Sequence, residues 1–118
     1  MKAPLEDYES TCFARWLDTQ PGLLHSHIPN ETPTSIQAAM RLKAKGVRRG
    51  VPDHVIVHEA TGGTLWIEMK RAKGGTVSKD QKRWLAALPN ALVCRGYRDA
   101  RKAVEHWQRS LDRVRRDT

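Results

Sequence analysis

Apolar and polar positions alternate with two different periods along this chain. From Glu6 to Asp18, Tyr8, Cys12, Phe13, Trp16 and Leu17 recur at helical spacing and predict a first helix, stopped by Thr19-Gln20-Pro21-Gly22. Leu23 to Ile28 is short and partly apolar, a candidate strand, and Pro29-Asn30-Glu31-Thr32-Pro33 is a turn cluster. Thr34 or Ser35 caps a second helix that runs to Lys45 and ends at Gly46, with Ile36, Ala39, Met40 and the methylenes of Lys43 as its inner face. A loop with two glycines, Gly46 to Asp53, leads into His54-Val55-Ile56-Val57-His58, whose β-branched run predicts a strand.

Ala60-Thr61-Gly62-Gly63-Thr64 reads as a hairpin turn, and Leu65 to Lys70 as the returning strand. Its period of two places Leu65, Ile67 and Met69 on one face and Trp66, Glu68 and Lys70 on the other. After a basic, Gly-containing loop from Arg71 to Val77, Ser78 caps a third helix with a stripe of Gln81, Trp84, Leu85 and Leu88, broken by Pro89-Asn90. Ala91 to Cys94 is a further strand. A last helix begins at Asp99 with Ala100, Ala103, Val104, Trp107, Leu111 and Val114 inside, and the charged tail from Arg113 to Thr118 is expected to fray. The order α-(β)-α-β-β-α-β-α predicts an α/β fold, a small mixed sheet flanked by helices, and 118 residues without repeat or linker predict one domain over 1–118.

Composition narrows the partners. A net charge of +8 favours nucleic acid over an anionic membrane as the partner class. Cys12 and Cys94 are far apart and without His at zinc-ligand spacing, so buried free thiols in a reducing compartment are expected. No signal-peptide core and no membrane-length apolar run is present, and an intracellular protein without membrane contact is expected.

The candidate chemistry sits on the hairpin. Asp53 opens one strand and Glu68 closes the next, so the two carboxylates are expected side by side, with Lys70 on the same face as Glu68. Carboxylates, with a backbone carbonyl such as that of Met69, are the hard donors that Mg²⁺ prefers, and a neighbouring ammonium suits a phosphate. That combination points to metal-dependent phosphodiester cleavage. The competing interpretation is a turn residue after Pro52 and a solvated strand face, against which Trp66 shares the face of Glu68 and Lys70.

Three segments taken together resemble the VRR-NUC domain, a virus-type replication and repair branch of the PD-(D/E)xK nuclease superfamily. They are Gly46-Val47-Arg48-Arg49-Gly50-Val51-Pro52-Asp53, Leu65-Trp66-Ile67-Glu68-Met69-Lys70-Arg71, and Gly74-Gly75-Thr76-Val77-Ser78 with Gln81 and Trp84. Ile28-Pro29-Asn30 and the Glu pair of the first helix add a likeness to stand-alone phage members, and the resemblance spans roughly residues 6–108. It implies a restriction-endonuclease-like fold and Mg²⁺- or Mn²⁺-dependent DNA cleavage, with Asp53 and Glu68 as metal ligands and Lys70 as the catalytic lysine. It also implies a helix-borne carboxylate, Glu6 or Glu9, of which Glu6 fits the spacing slightly better, and a supporting role for Gln81. Departures from the family pattern are Ser10, where a Gln is often found, and Glu31, where a Gly pair is frequent.

By the same resemblance, stand-alone members behave like Holliday-junction resolvases and tend to form homodimers, and a symmetric four-way junction suits a two-fold dimer. Arg48, Arg49, Arg71, Lys73 and Ser78 are the candidate DNA contacts, because the basic clusters flank the candidate site in sequence. His25 and His27 share a strand face near the site, with a structural role favoured; Trp16, Trp84 and Trp107 belong to apolar helical stripes, and Trp66 borders the site or a dimer surface. The expected function is a structure-selective DNA endonuclease of phage type; the alternatives are a flap or linear-DNA nuclease and a non-catalytic nucleic-acid-binding module on a degenerate nuclease fold.

Overall fold

The protein is described by a computed structural model covering residues 3–29 and 32–117, with side chains of the terminal helices described from Asp7 and up to Val114. The elements run α1 (Ala3–Asp18), β1 (Leu23–His27), α2 (Ile36–Ala44), β2 (His54–His58), β3 (Thr64–Lys70), α3 (Lys79–Ala87), β4 (Ala91–Arg95) and α4 (Tyr97–Asp117). The four strands form one sheet in the order β1-β2-β3-β4; β1, β2 and β3 are antiparallel neighbours, and β4 joins β3 in parallel through α3. This is the mixed α/β fold that the periodicity predicts. No helix among the described residues is long and apolar enough to cross a membrane.

Pairing of His54 with Ile67 and of Ile56 with Leu65 aligns the buried positions of β2 and β3 on one face. Phe13 and Leu17 of α1 and Ala100 and Val104 of α4 close over that face, meeting Ile56, Leu65, Ile67, Met69 and Cys94. Full burial of a side chain the size of Phe13, Leu17 or Ile67 contributes about 2 kcal/mol each over leaving it exposed. The opposite face carries Val55, Val57, Trp66 and Val93, which stay half-buried.

Several expected inner positions turn out to face solvent. Tyr8 is exposed, one turn ahead of where α1 meets the sheet. The α2 face of Ile36, Ala39, Met40 and Lys43 is left uncovered among the described residues: the helix has no buried residue, and Ile36 is 77 % exposed. No residue of α3 is fully buried, and its stripe is half-buried. Val114 is exposed, α4 starts two residues before Asp99, and the backbone stays helical to Asp117 instead of fraying at Arg113. Asp99 instead accepts the Arg95 N–H at 2.8 Å across the strand-to-helix turn. Both cysteines are free, but only Cys94 is buried; Cys12 is half-buried.

The Gly46–Asp53 loop is fixed against α3 by two close approaches. Trp84 Nε1 donates to the Arg49 carbonyl at 3.1 Å. Gly50 adopts φ +93°, and a Cβ there would lie 2.6 Å from the Asp80 carbonyl carbon and 2.8 Å from Gln81 N. Gly50→Ala therefore meets both left-handed strain and backbone overlap, and is expected to cost about 2 kcal/mol. Urea denaturation checks it: an unchanged midpoint would show that the loop and α3 separate freely.

Candidate active site

Asp53 sits at the entry of β2, behind the buried Pro52, and is held at both ends of the residue. Its carbonyl accepts the Ile28 N–H at 2.6 Å, tying it to the end of β1, and its Oδ2 accepts the Met69 N–H at 3.0 Å. The second contact reaches across the hairpin, as the strand ends predict. A residue in an antiparallel ladder directs its N–H and C=O to the same side, so the Met69 carbonyl also lies on the Asp53 side of β3.

Glu68 is only 2 % exposed on the face opposite the core. Its Oε2 accepts Gln81 Nε2 at 3.1 Å and lies 3.5 Å from Lys70 Nζ, while Oε1 is buried without a hydrogen-bond partner among the described residues. Burial, followed by the neighbouring Asp53 carboxylate, pushes the Glu68 carboxyl up to about 8; Lys70 acts in the opposite direction. Two carboxylates and one ammonium thus converge where β2 begins and β3 ends. These are the sequence-predicted Asp53, Glu68 and Lys70.

Gln81 connects this cluster to the start of α3. Ser78 caps the helix by accepting Gln81 N–H at 3.1 Å, and Gln81 Oε1 accepts the Ser78 N–H at 2.8 Å. This reciprocal box fixes which way the amide faces, and its remaining NH₂ is directed at Glu68. Ser78, a candidate DNA contact, has its hydroxyl occupied as the helix cap.

Of the two candidate helix-borne carboxylates, Glu9 is taken up by the fold. Glu9 Oε2 accepts the Tyr97 N–H at 2.6 Å and closes the first turn of α4, a structural role that favours an anion. Glu6 lies on α1, but its side chain falls outside the described residues. Among the described residues, no group of three or more His, Cys, Asp and Glu is arranged to hold a metal; Asp53 and Glu68 converge as a pair.

The basic candidates surround the cluster with varied freedom. Arg48 Nη1 donates to the carbonyls of Lys43 and Val47, both at 3.1 Å, so its guanidinium is parked on its own loop. Arg49 and Lys73 are exposed, and Arg71 is half-buried. Arg95 was not picked out by sequence: it pairs with Lys70 in the parallel register and donates to the carbonyls of Arg71, Gly74 and Gly75 at 3.2, 2.6 and 3.2 Å. It shapes the loop that follows Lys70. Its signal was weak, a lone Arg ending a strand whose partner is unknown until the sheet is built. His25 and His27 pair with Ile56 and His54 on the helix-covered face, so they lie across the sheet from Glu68. His25 Nε2 meets Asp18 Oδ1 at 2.6 Å, joining β1 to α1.

The crowded Glu68 has a measurable consequence. Its carboxyl titrates at an ordinary 4.5 when unperturbed and near 8 in the fold. Between those values the folded state holds the extra proton, so stability is full below the lower value and falls as pH rises, by at most about 1.4 kcal/mol per pH unit. Burial lowers the His54 imidazole to about 4, which adds stability as pH rises to its ordinary 6.5 and offsets Glu68 there, so in metal-free buffer the melting temperature is expected to drop mainly between pH 6.5 and pH 8. Glu68→Gln is expected to flatten that drop and to melt higher than the wild type at pH 8. Equal or lower melting of the variant at pH 8 would remove the crowding.

Comparison with known proteins bears on the family and the fold. The model of the VRR-NUC domain family matches residues 5–100. A solved structure described as a VRR_NUC domain protein superposes with a TM-score of 0.69 at 22 % identity, over 90 % of this chain and 89 % of that one, a likeness of fold. No curated protein matches. The family match takes in Asp53, Glu68, Lys70 and Gln81 together with most of the chain, and the protein belongs to the VRR-NUC domain family, with a nuclease-type fold.

Proposed function

We propose that this chain is a metal-dependent, structure-selective DNA endonuclease acting on branched DNA, with residues 1–118 as one nuclease domain. The observation that carries the reading is the convergence of Asp53 with a buried, proton-holding Glu68 beside Lys70. Burial and the neighbouring Asp53 carboxylate both raise the cost of a charge on Glu68, a cost that a bound cation would offset. All the donors are hard oxygens, which fits Mg²⁺ or Mn²⁺.

In this reading Asp53 and Glu68 hold the cation, with the Met69 carbonyl and Glu6 as further donors. When bound there, a divalent ion would supply an acidified water and charge stabilisation on phosphate oxygens. Glu68 would serve as a ligand in its deprotonated form, its proton passing to solvent. Gln81 keeps one Glu68 oxygen oriented through its donated hydrogen bond. Lys70 places an ammonium beside the phosphate and the attacking water. Arg49, Arg71 and Lys73 bind backbone phosphates on either side of the cut, a sequence-independent contact. Arg48 joins them if it leaves its own carbonyls.

Asp53→Asn, Glu68→Gln and Lys70→Ala are each expected to lower Mg²⁺- or Mn²⁺-dependent cleavage of branched DNA by at least ~100-fold. Asp53→Asn is expected to keep DNA binding, because removing a carboxylate lessens repulsion of phosphate. Wild-type cleavage rates in both carboxylate variants would dismiss the site. Binding by the wild type without cleavage in either metal would leave the binding-module alternative.

A homodimer completes the proposal, because a four-way junction requires two cuts related by symmetry. The uncovered sheet face around Trp66 and the exposed Leu92 on the edge strand β4 supply surface for it. Light scattering is expected to give twice the 13.4 kDa chain mass, with junctions cut in preference to linear duplex. A 13.4 kDa particle on DNA that cuts flaps or linear ends faster would replace the resolvase by a flap-type nuclease.

A further inference from the structure

Beside the carboxylate cluster lies a second cavity that the cleavage chemistry does not use. It encloses about 290 Å³ and is lined mainly by Ile28, Pro29, Val47, Val51 and Trp84, with Arg48 at one side. That volume is at the small end for ligand cavities and suits one planar ring system better than an extended peptide. The lining is apolar, which a phosphate or sugar would not select.

Two links of the fold bring this cavity near the carboxylate cluster. Ile28 N–H bonds the Asp53 carbonyl, so one wall begins at the residue that presents the first carboxylate. Trp84 sits three residues after Gln81 on α3, a separation of about 5–6 Å between β-carbons along one helix face, and Gln81 bonds Glu68. The Trp84 ring is held by its bond to the Arg49 carbonyl, and Arg48 by its bonds to Lys43 and Val47. A fixed indole and a fixed guanidinium are the two side-chain surfaces on which bases stack.

The surroundings fit a polyanion. From Thr32 to Pro52 the chain carries Arg41, Lys43, Lys45, Arg48 and Arg49 and no carboxylate. The cations of α2 lie on a helix with no buried residue. The loop that carries Arg48 and Arg49 also lines the cavity, so a strand held by these cations would be brought to its edge.

We infer that this cavity receives one unstacked nucleobase of the strand being cut, next to the scissile phosphate. The inference rests on the proposed nuclease reading and deepens it. Bases at branch points are already partly unpaired, so extruding one there costs least. The cavity then contributes to structure selectivity: intact duplex must break a base pair to fill it, whereas a branch supplies a base already free.

The test measures binding alone. A branched duplex is prepared with an abasic site moved one nucleotide at a time through the branch, and its affinity is read by fluorescence anisotropy in metal-free buffer. With wild-type protein, one position is expected to weaken binding about 10-fold, the size of a lost base–aromatic stack, and its neighbours little. Trp84→Ala is expected to erase that positional loss, and Trp84→Phe to retain it. Val47→Gln, at a residue 52 % exposed where the fold tolerates change, is expected to reduce it even if Trp84→Ala fails to fold. A flat abasic scan, or the same positional loss in wild type and Val47→Gln, overturns the base pocket. The cleavage assay decides the nuclease reading separately: a flat scan with full Mg²⁺-dependent cutting removes only the pocket, and a positional loss without cutting removes only the nuclease.

Discussion

The Glu68 carboxylate, buried beside the Asp53 carboxylate, is the constraint around which the rest of this structure is arranged. An anion taken out of water needs partners, and a second anion beside it makes the need larger. The fold supplies partial answers: an ammonium from Lys70, an amide from Gln81, and the Met69 N–H for Asp53. None reaches Glu68 Oε1. The remaining shortfall appears as a proton held to about pH 8. A fold optimised for stability alone would place an apolar side chain there. The crowded pair is the feature on which the proposed cation site rests.

Strand β3 reconciles the core with that site because its period of two separates them. Leu65, Ile67 and Met69 lie against α1 and α4, while Trp66, Glu68 and Lys70 use the other face. The antiparallel hairpin with β2 brings Asp53 to Glu68, and the parallel step to β4 brings Arg95 beside Lys70. Arg95 then gathers three carbonyls of the loop that follows, where Gly74 and Gly75 at φ +76° and +69° turn their carbonyls inward. Glu68 and Lys70 therefore rest on the most buried strand, with Asp53 at the turn that enters β2 and Gln81 at the start of α3.

Much of this was legible in the residues because the relevant signals are local. Asp53 and Glu68 meet across one hairpin, so alternation and a Gly-Gly turn suffice to join them. Ser78 and Gln81 form a capping box that a three-residue spacing announces. What was not legible depends on long-range packing. Glu9 and Glu6 lie on the same helix, and only the arrival of the Tyr97 N–H shows that Glu9 is occupied. The apolar spacing in α2 signals a buried face, yet no element reaches it. Periodicity reports that a face is apolar, not that a partner covers it. Arg95 gains its meaning only from the parallel register of β4, which no local pattern specifies.

Helix α2 shows how the site's geometry extends to the basic surface. Nine residues with nothing buried form a helix that is marginal by itself in water. Its order comes from its ends: Ser35 accepts the Ala38 N–H at 3.0 Å, and the Leu42 carbonyl accepts the Val47 N–H at 3.0 Å. The latter end continues into the Gly46–Asp53 loop, and that loop is pinned where Gly50 touches the first turn of α3. The backbone that Gly50 approaches belongs to Asp80 and Gln81, so the contact fixing the basic arm also fixes the amide that orients Glu68. A residue without a side chain thus sets the distance between the basic helix and the carboxylates. Any side chain at that position separates the two together, because the same backbone contact serves both.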